Sequence, residues 1–204
     1  MRPELTGRDD ALVLGLARGG VPVAAAVAEA LSSPLDVLVV RKIGLPSQPE
    51  LAMGAVAESG GAVEVVRNEQ VLAQMAVPAG VFEDVCTREI RVLHERATSY
   101  RRGRAALPLT GKLVIIVDDG LATGSSMRAA ITAVRAHGAR EVIVAVPVGA
   151  ADTCTALGTE ADGVVCAWTP EPFHAVGQAY ANFDPTSDDE VTQALAARGM
   201  RPPG

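Results

Sequence analysis

Apolar residues fall along the chain in short blocks of two kinds that alternate. Residues 11–14 (Ala-Leu-Val-Leu) form a β-type run that stops at Gly15, and the alanine-rich stretch 21–31 favours helix. Residues 35–40 (Leu-Asp-Val-Leu-Val-Val) predict a second strand after Pro34, and their lack of alternation predicts burial on both faces. Residues 44–50 carry Pro46, Ser47 and Pro49 without any period, so a mobile loop is expected there. The runs 53–57 and 62–66 flank Glu58-Ser59-Gly60-Gly61, a hairpin signal.

Phe82, Cys86, Ile90, Leu93, Ala97 and Tyr100 step by three or four, which predicts a long helix over 79–104 packed by one stripe. Glu83, Arg88, Glu95 and Arg96 then lie on its solvated face, and Arg101, Arg102 and Arg104 read as a basic helix end set favourably against the macrodipole. Strands are expected at 112–117, 141–146 and 163–167, with helices at 125–137 and 150–157 between them. This order predicts an α/β fold: an open, largely parallel twisted sheet with helices on both faces. The tail after Pro170 has lower apolar density and reads as a small cap. Ligands of such sheets bind at the carboxyl ends of the strands.

At 204 residues and 21.0 kDa the chain is long enough for one main core. Its net charge of −6 and 3% aromatic content argue against nucleic-acid binding, which needs basic surface or stacking platforms. A small anion remains compatible, because it needs only local positive charge. Cys86, Cys154 and Cys166 lack metal or redox spacing and read as reduced core residues. The longest uncharged apolar stretch, 142–151, is too short for a membrane span, and MRPELTGRDD lacks a signal core. A cytoplasmic protein without membrane or nucleic-acid partners is expected.

Residues 113–126, LVIIVDDGLATGSS, place Asp118 and Asp119 where a buried strand meets a small-residue loop that opens a helix. Backbone N–H groups of the loop, the helix N-terminus and the hydroxyls of Thr123, Ser125 and Ser126 suit a phosphomonoester. Two carboxylates beside it can accept hydrogen bonds from sugar hydroxyls or hold a hydrated divalent cation. Together these describe a ribose 5-phosphate site. Capping of the helix by an Asp is the simpler use of such a pair, but adjacent carboxylates repel and need a reason to be there.

This segment resembles the phosphoribosyl pyrophosphate (PRPP) motif of type I phosphoribosyltransferases. The resemblance implies that Asp118 and Asp119 hold the ribose hydroxyls and Mg2+, and that Gly120, Ala122, Thr123, Gly124, Ser125 and Ser126 hold the 5-phosphate. It extends over residues 11–168 through the order of strands. On it, Gly15-Leu16-Ala17-Arg18-Gly19-Gly20 looks like the family's pyrophosphate loop, with Arg18, Gly19 and Gly20 as ligands and a non-proline cis peptide next to Arg18. Lys42, just past the second strand, would add positive charge to the same crevice. Residues 44–51 take the place of the family's flexible catalytic loop, where Glu50, the only acid, is the candidate proton carrier. Residues 1–168 then make the PRPP-binding core, with hairpin and loop around 44–66, and residues 169–204 a hood. Trp168 and Phe173 are its candidates for stacking on an acceptor, with Glu171 or a backbone group reading the edge.

The resemblance implies a Mg2+-dependent transferase of nucleotide metabolism, a homo-oligomer, expected to be a dimer, that passes the phosphoribosyl group from PRPP to a nitrogen acceptor. In the 6-oxopurine branch an acid stands three residues after the second motif acid; here that position is Ala122. A regulator that binds PRPP or a nucleotide without transfer also fits these residues. A phosphoacceptor carboxylate module of the receiver type does not, because its acid cluster follows an early strand and no phosphate-type glycine loop comes after it.

Overall fold

The computed structural model describes residues 8–198. Seven strands, β1 (Ala11–Leu16), β2 (Leu35–Leu45), β3 (Gln48–Ser59), β4 (Ala62–Arg67), β5 (Leu113–Val117), β6 (Glu141–Val148) and β7 (Gly163–Trp168), form one sheet in the order β4-β3-β2-β1-β5-β6-β7. The five strands from β2 to β7 in that order run parallel, while β3 and β4 add an antiparallel edge. Six helices accompany them: α1 (Gly20–Leu31), α2 (Glu69–Gln74), α3 (Ala79–Arg101), α4 (Ser125–Ala136), α5 (Ala151–Leu157) and α6 (Asp188–Arg198).

Side chains of the central strands alternate between two cores, as the two-residue period of a strand requires. Ala11 and Val13 of β1 and Leu113, Ile115 and Val117 of β5 join Val21, Ala24 and Ala28 of α1, the α3 stripe, and Val191 and Leu195 of α6. Leu12, Leu14, Val114 and Ile116 meet Met127, Ile131 and Val134 of α4 on the opposite face, with Leu157 of α5. Both faces of the sheet are therefore covered, which explains the unbroken apolar runs.

The long helix has its buried stripe at Phe82, Val85, Cys86, Leu93, Ala97 and Tyr100, and Glu83, Arg88, Glu95 and Arg96 are exposed. It ends at Arg102, which takes a left-handed conformation (φ 47°) and returns its N–H to the Thr98 and Ser99 carbonyls. Arg101 is not a solvated helix end. It is buried, donating from Nε to Asp36 at 3.0 Å, from Nη1 to both Glu58 oxygens at 2.9 Å and from Nη2 to the Val37 carbonyl at 3.1 Å.

The stretch 44–50, expected to be a mobile, irregular loop, is instead largely paired strand. β2 runs on to Leu45, turns through Pro46 and Ser47, and returns as β3 from Gln48, so Lys42 lies within a strand. A register irregularity at Gly44 accommodates the turn; a Cβ there would stand 2.7 Å from the Pro49 carbonyl. The hairpin signal at 58–61 marks the β3–β4 turn, where Gly60 and Gly61 both have positive φ, 59° and 84°.

Candidate functional site

β1 and β5 are adjacent and parallel, Gly15 pairing with Val117, so the loops after them emerge side by side at the carboxyl edge. The chain leaves β1 toward β2 on one side and finds β5 on the other, the arrangement that opens a crevice at strand ends. The Ala17–Arg18 peptide is cis. Gly20 packs so closely on the second loop that a Cβ would lie 2.8 Å from the Asp118 Cα, and one on Gly19 would strike the Asp119 carboxylate. Gly19 and Gly20 thus pack directly on the acidic pair. Arg18 Nη1 lies 3.7 Å from Asp188.

Asp118 and Asp119 are half-buried at the end of β5. Burial, followed by the neighbouring carboxylate, pushes the Asp118 pKa well above the usual carboxylate range, and burial raises that of Asp119. The Asp118 carboxylate accepts the Asp119 backbone N–H at 2.9 Å. Among the described residues no cation forms an ion pair with either.

After Gly120, Leu121 joins β6 through its N–H to the Val148 carbonyl (2.9 Å), and Thr153 Oγ1 of α5 donates to the Ala122 carbonyl (2.7 Å). Gly124, with φ 73°, is the N-cap of α4 and contributes no side-chain cap. The first helical bond runs from the Arg128 N–H to the Gly124 carbonyl at 2.9 Å, which leaves the N–H groups of Ser125, Ser126 and Met127 without helical partners. The Thr123 and Ser125 hydroxyls lie 3.2 Å apart beside them. In crystals grown from sulfate or phosphate, an anion is expected on these N–H groups. A loop found empty in both salts, or closed by a side chain, would remove it as an anion site.

The other sequence candidates lie further out. Leu16 of β1 pairs with Leu38, and β2 runs on beyond it, so Lys42 and Glu50 sit on a projecting ribbon, bonded to each other at 3.2 Å. Glu50 is fully exposed. Trp168 ends β7 with half its surface exposed, and Phe173 is half-buried. Instead, Val176 packs against Gly120, and Tyr180 O–H donates to the Asp119 carbonyl at 2.6 Å, with Phe183 5.1 Å from its ring. Burial raises the Tyr180 pKa, with the two carboxylates adding to it. No spacing in the sequence singles out Val176, Tyr180 or Asp188, because each reaches the site only through the fold.

A family model described as a phosphoribosyl transferase domain matches residues 4–162. The Mycobacterium tuberculosis H37Rv protein named "Putative phosphoribosyl transferase Rv0571c" is 51% identical over 184 residues, covering 90% of this chain and 41% of that one. The chain therefore spans about two fifths of the length of the curated relatives it matches. The crystal structure of TT1426 from Thermus thermophilus is similar at a TM-score of 0.80 and 41% identity, covering 94% of this chain and 89% of that one.

Proposed function

The chain belongs to the phosphoribosyl transferase family, and from that premise we propose that it moves the 5-phosphoribosyl group of PRPP to a nitrogen acceptor, with Mg2+, releasing pyrophosphate. The observation that carries this is the junction of three features at one sheet edge: the acidic pair, the uncapped start of α4 and the glycines of the β1 loop. Asp118 and Asp119 accept hydrogen bonds from the ribose hydroxyls. The N–H groups and hydroxyls of residues 122–126 hold the 5-phosphate. Arg18, Gly19 and Gly20 hold the pyrophosphate, where a guanidinium can give paired bonds to its oxygens.

The donor set suits Mg2+. Asp118 and Asp119 would hold it, and no group of three acidic, His or Cys ligands occurs among the described residues, so waters and substrate oxygens would complete its octahedron. When bound, it would neutralise charge growing on the departing pyrophosphate. Lys42 adds cationic charge from the ribbon and Glu50 is its proton carrier, while residues 169–204, of which 169–198 are described, form the hood, with Trp168 and Phe173 as a stacking surface for the acceptor.

Pyrophosphate release from PRPP and Mg2+ against a panel of bases is the test. Release with adenine or a non-purine nitrogen base is expected. Because Ala122 offers no acid to a 6-oxopurine, hypoxanthine and guanine are expected to be poor acceptors. Turnover of either on the order of 1–10³ s⁻¹ would show another residue supplying that proton chemistry. A regulator that binds PRPP without transfer is the second reading, favoured by the absence of an acid at Ala122 in the loop. PRPP binding without release across the panel would decide for it.

A further inference from the structure

We propose that Asp188 is a resident carboxylate that competes with pyrophosphate for Arg18 and so sets the affinity of the site for that anion; this rests on the reading of the β1 loop given above. Arg18 is the one charged residue of that loop, and its Nη1 lies 3.7 Å from Asp188 Oδ1. The distance is within Coulombic reach but too long for a hydrogen bond, so the guanidinium keeps its donors for an incoming anion. Pyrophosphate arriving at Arg18 therefore meets a negative charge already beside it.

That charge is held in place. The same Asp188 oxygen accepts a 2.8 Å hydrogen bond from Tyr100 O–H, and Tyr100 is only 1% exposed, so the carboxylate stands on a buried post. Burial, followed by the bond to Asp188, pushes the Tyr100 pKa up to about 12, and the phenol stays a donor at neutral pH. Behind Asp188, Val191 and Leu195 anchor α6 in the core that it shares with α1 and α3, and Arg104 Nη1 donates to the Leu195 carbonyl at 2.8 Å. The other acids that open α6 are engaged elsewhere. Glu190 accepts the Ser187 N–H and hydroxyl, and Asp189 lies 3.8 Å from Arg102. Asp188 is the one turned to the pyrophosphate loop.

A tie that merely docked the tail would change stability when broken and leave the anion untouched. A competing charge predicts the opposite: its removal tightens pyrophosphate binding. Mg2+-pyrophosphate titrated calorimetrically into wild type, D188N, D189N, Y100F and R18A separates the two. D188N is expected to bind about tenfold tighter, as removal of one screened like charge a few ångströms away implies. The gain shrinks at high salt. Y100F, which frees the carboxylate while keeping its charge, gains part of this, and D189N none. In an R18A background D188N loses most of its effect, because without Arg18 the anion is no longer held beside Asp188. D188N binding equal to or weaker than wild type overturns the inference and leaves Asp188 a structural tie. If R18A binds pyrophosphate as wild type does, the β1 loop is not the pyrophosphate site, and that part of the proposed function falls, whatever D188N does.

Discussion

Replacing both Asp118 and Asp119 by asparagine is expected to weaken PRPP binding at least about a hundredfold, the loss of two charge-assisted hydrogen bonds, while thermal stability holds or rises. Asparagine keeps the Oδ1 that accepts the Asp119 N–H, so the turn survives. What disappears is the cost of two buried like charges. Because the folded state raises both pKa values, it retains protons that the unfolded chain has already released, from the ordinary carboxylate range upward. Wild-type stability therefore falls as pH rises through that window, whereas the double variant has no such titration. Melting curves without ligand should show an advantage for the variant that grows with pH across the window and vanishes below the ordinary carboxylate range. A variant that unfolds, with PRPP affinity intact in its folded fraction, would make the pair structural.

The largest loss of stability is expected at Arg101, far from the chemistry. Asp36 and Glu58 are 5% and 2% exposed, and Arg101 donates to both; Leu107 and Gly61 supply backbone N–H groups. Arg101→Met leaves two buried carboxylates without their cation, which costs about 3–5 kcal/mol. At roughly 2–4 °C per kcal/mol for a domain of this size, the midpoint drops by at least about 6 °C. Adding Asp36→Asn and Glu58→Gln to that variant is expected to recover most of the loss, since the penalty is uncompensated charge and not missing volume. PRPP affinity should not change, because Asp36 lies at the amino end of β2 while the site lies at the carboxyl edge. A loss under about 1 kcal/mol in Arg101→Met would show that water reaches the cluster.

The acidic pair belongs to a segment whose order along the chain specifies it, whereas the Arg101 cluster joins residues far apart in sequence. The proposed ribose-phosphate site can be read at 113–126 because strand, acids, loop and helix start are consecutive, and each is governed by interactions spanning only a few residues. Alternation of strands and helices likewise points to the covered parallel sheet, since burial on both faces leaves unbroken apolar runs. The ribbon at 42–51 escaped that logic. Only Ile43 and Leu45 of it are buried, an alternation too short to outweigh Pro46, Ser47 and Pro49, and residues 46–50 are exposed. Arg101 looks like any basic helix end until Asp36 and Glu58, 65 and 43 residues away, are packed against it. Tyr180 reaches Asp119 across 61 residues, and Asp188 comes to Arg18 from nearly the opposite end of the chain. Local periodicity and capping act within a helical turn or a strand pair and so leave their mark in the order of residues. Pairings between distant segments depend on how helices settle on the sheet, a packing outcome that no local pattern encodes.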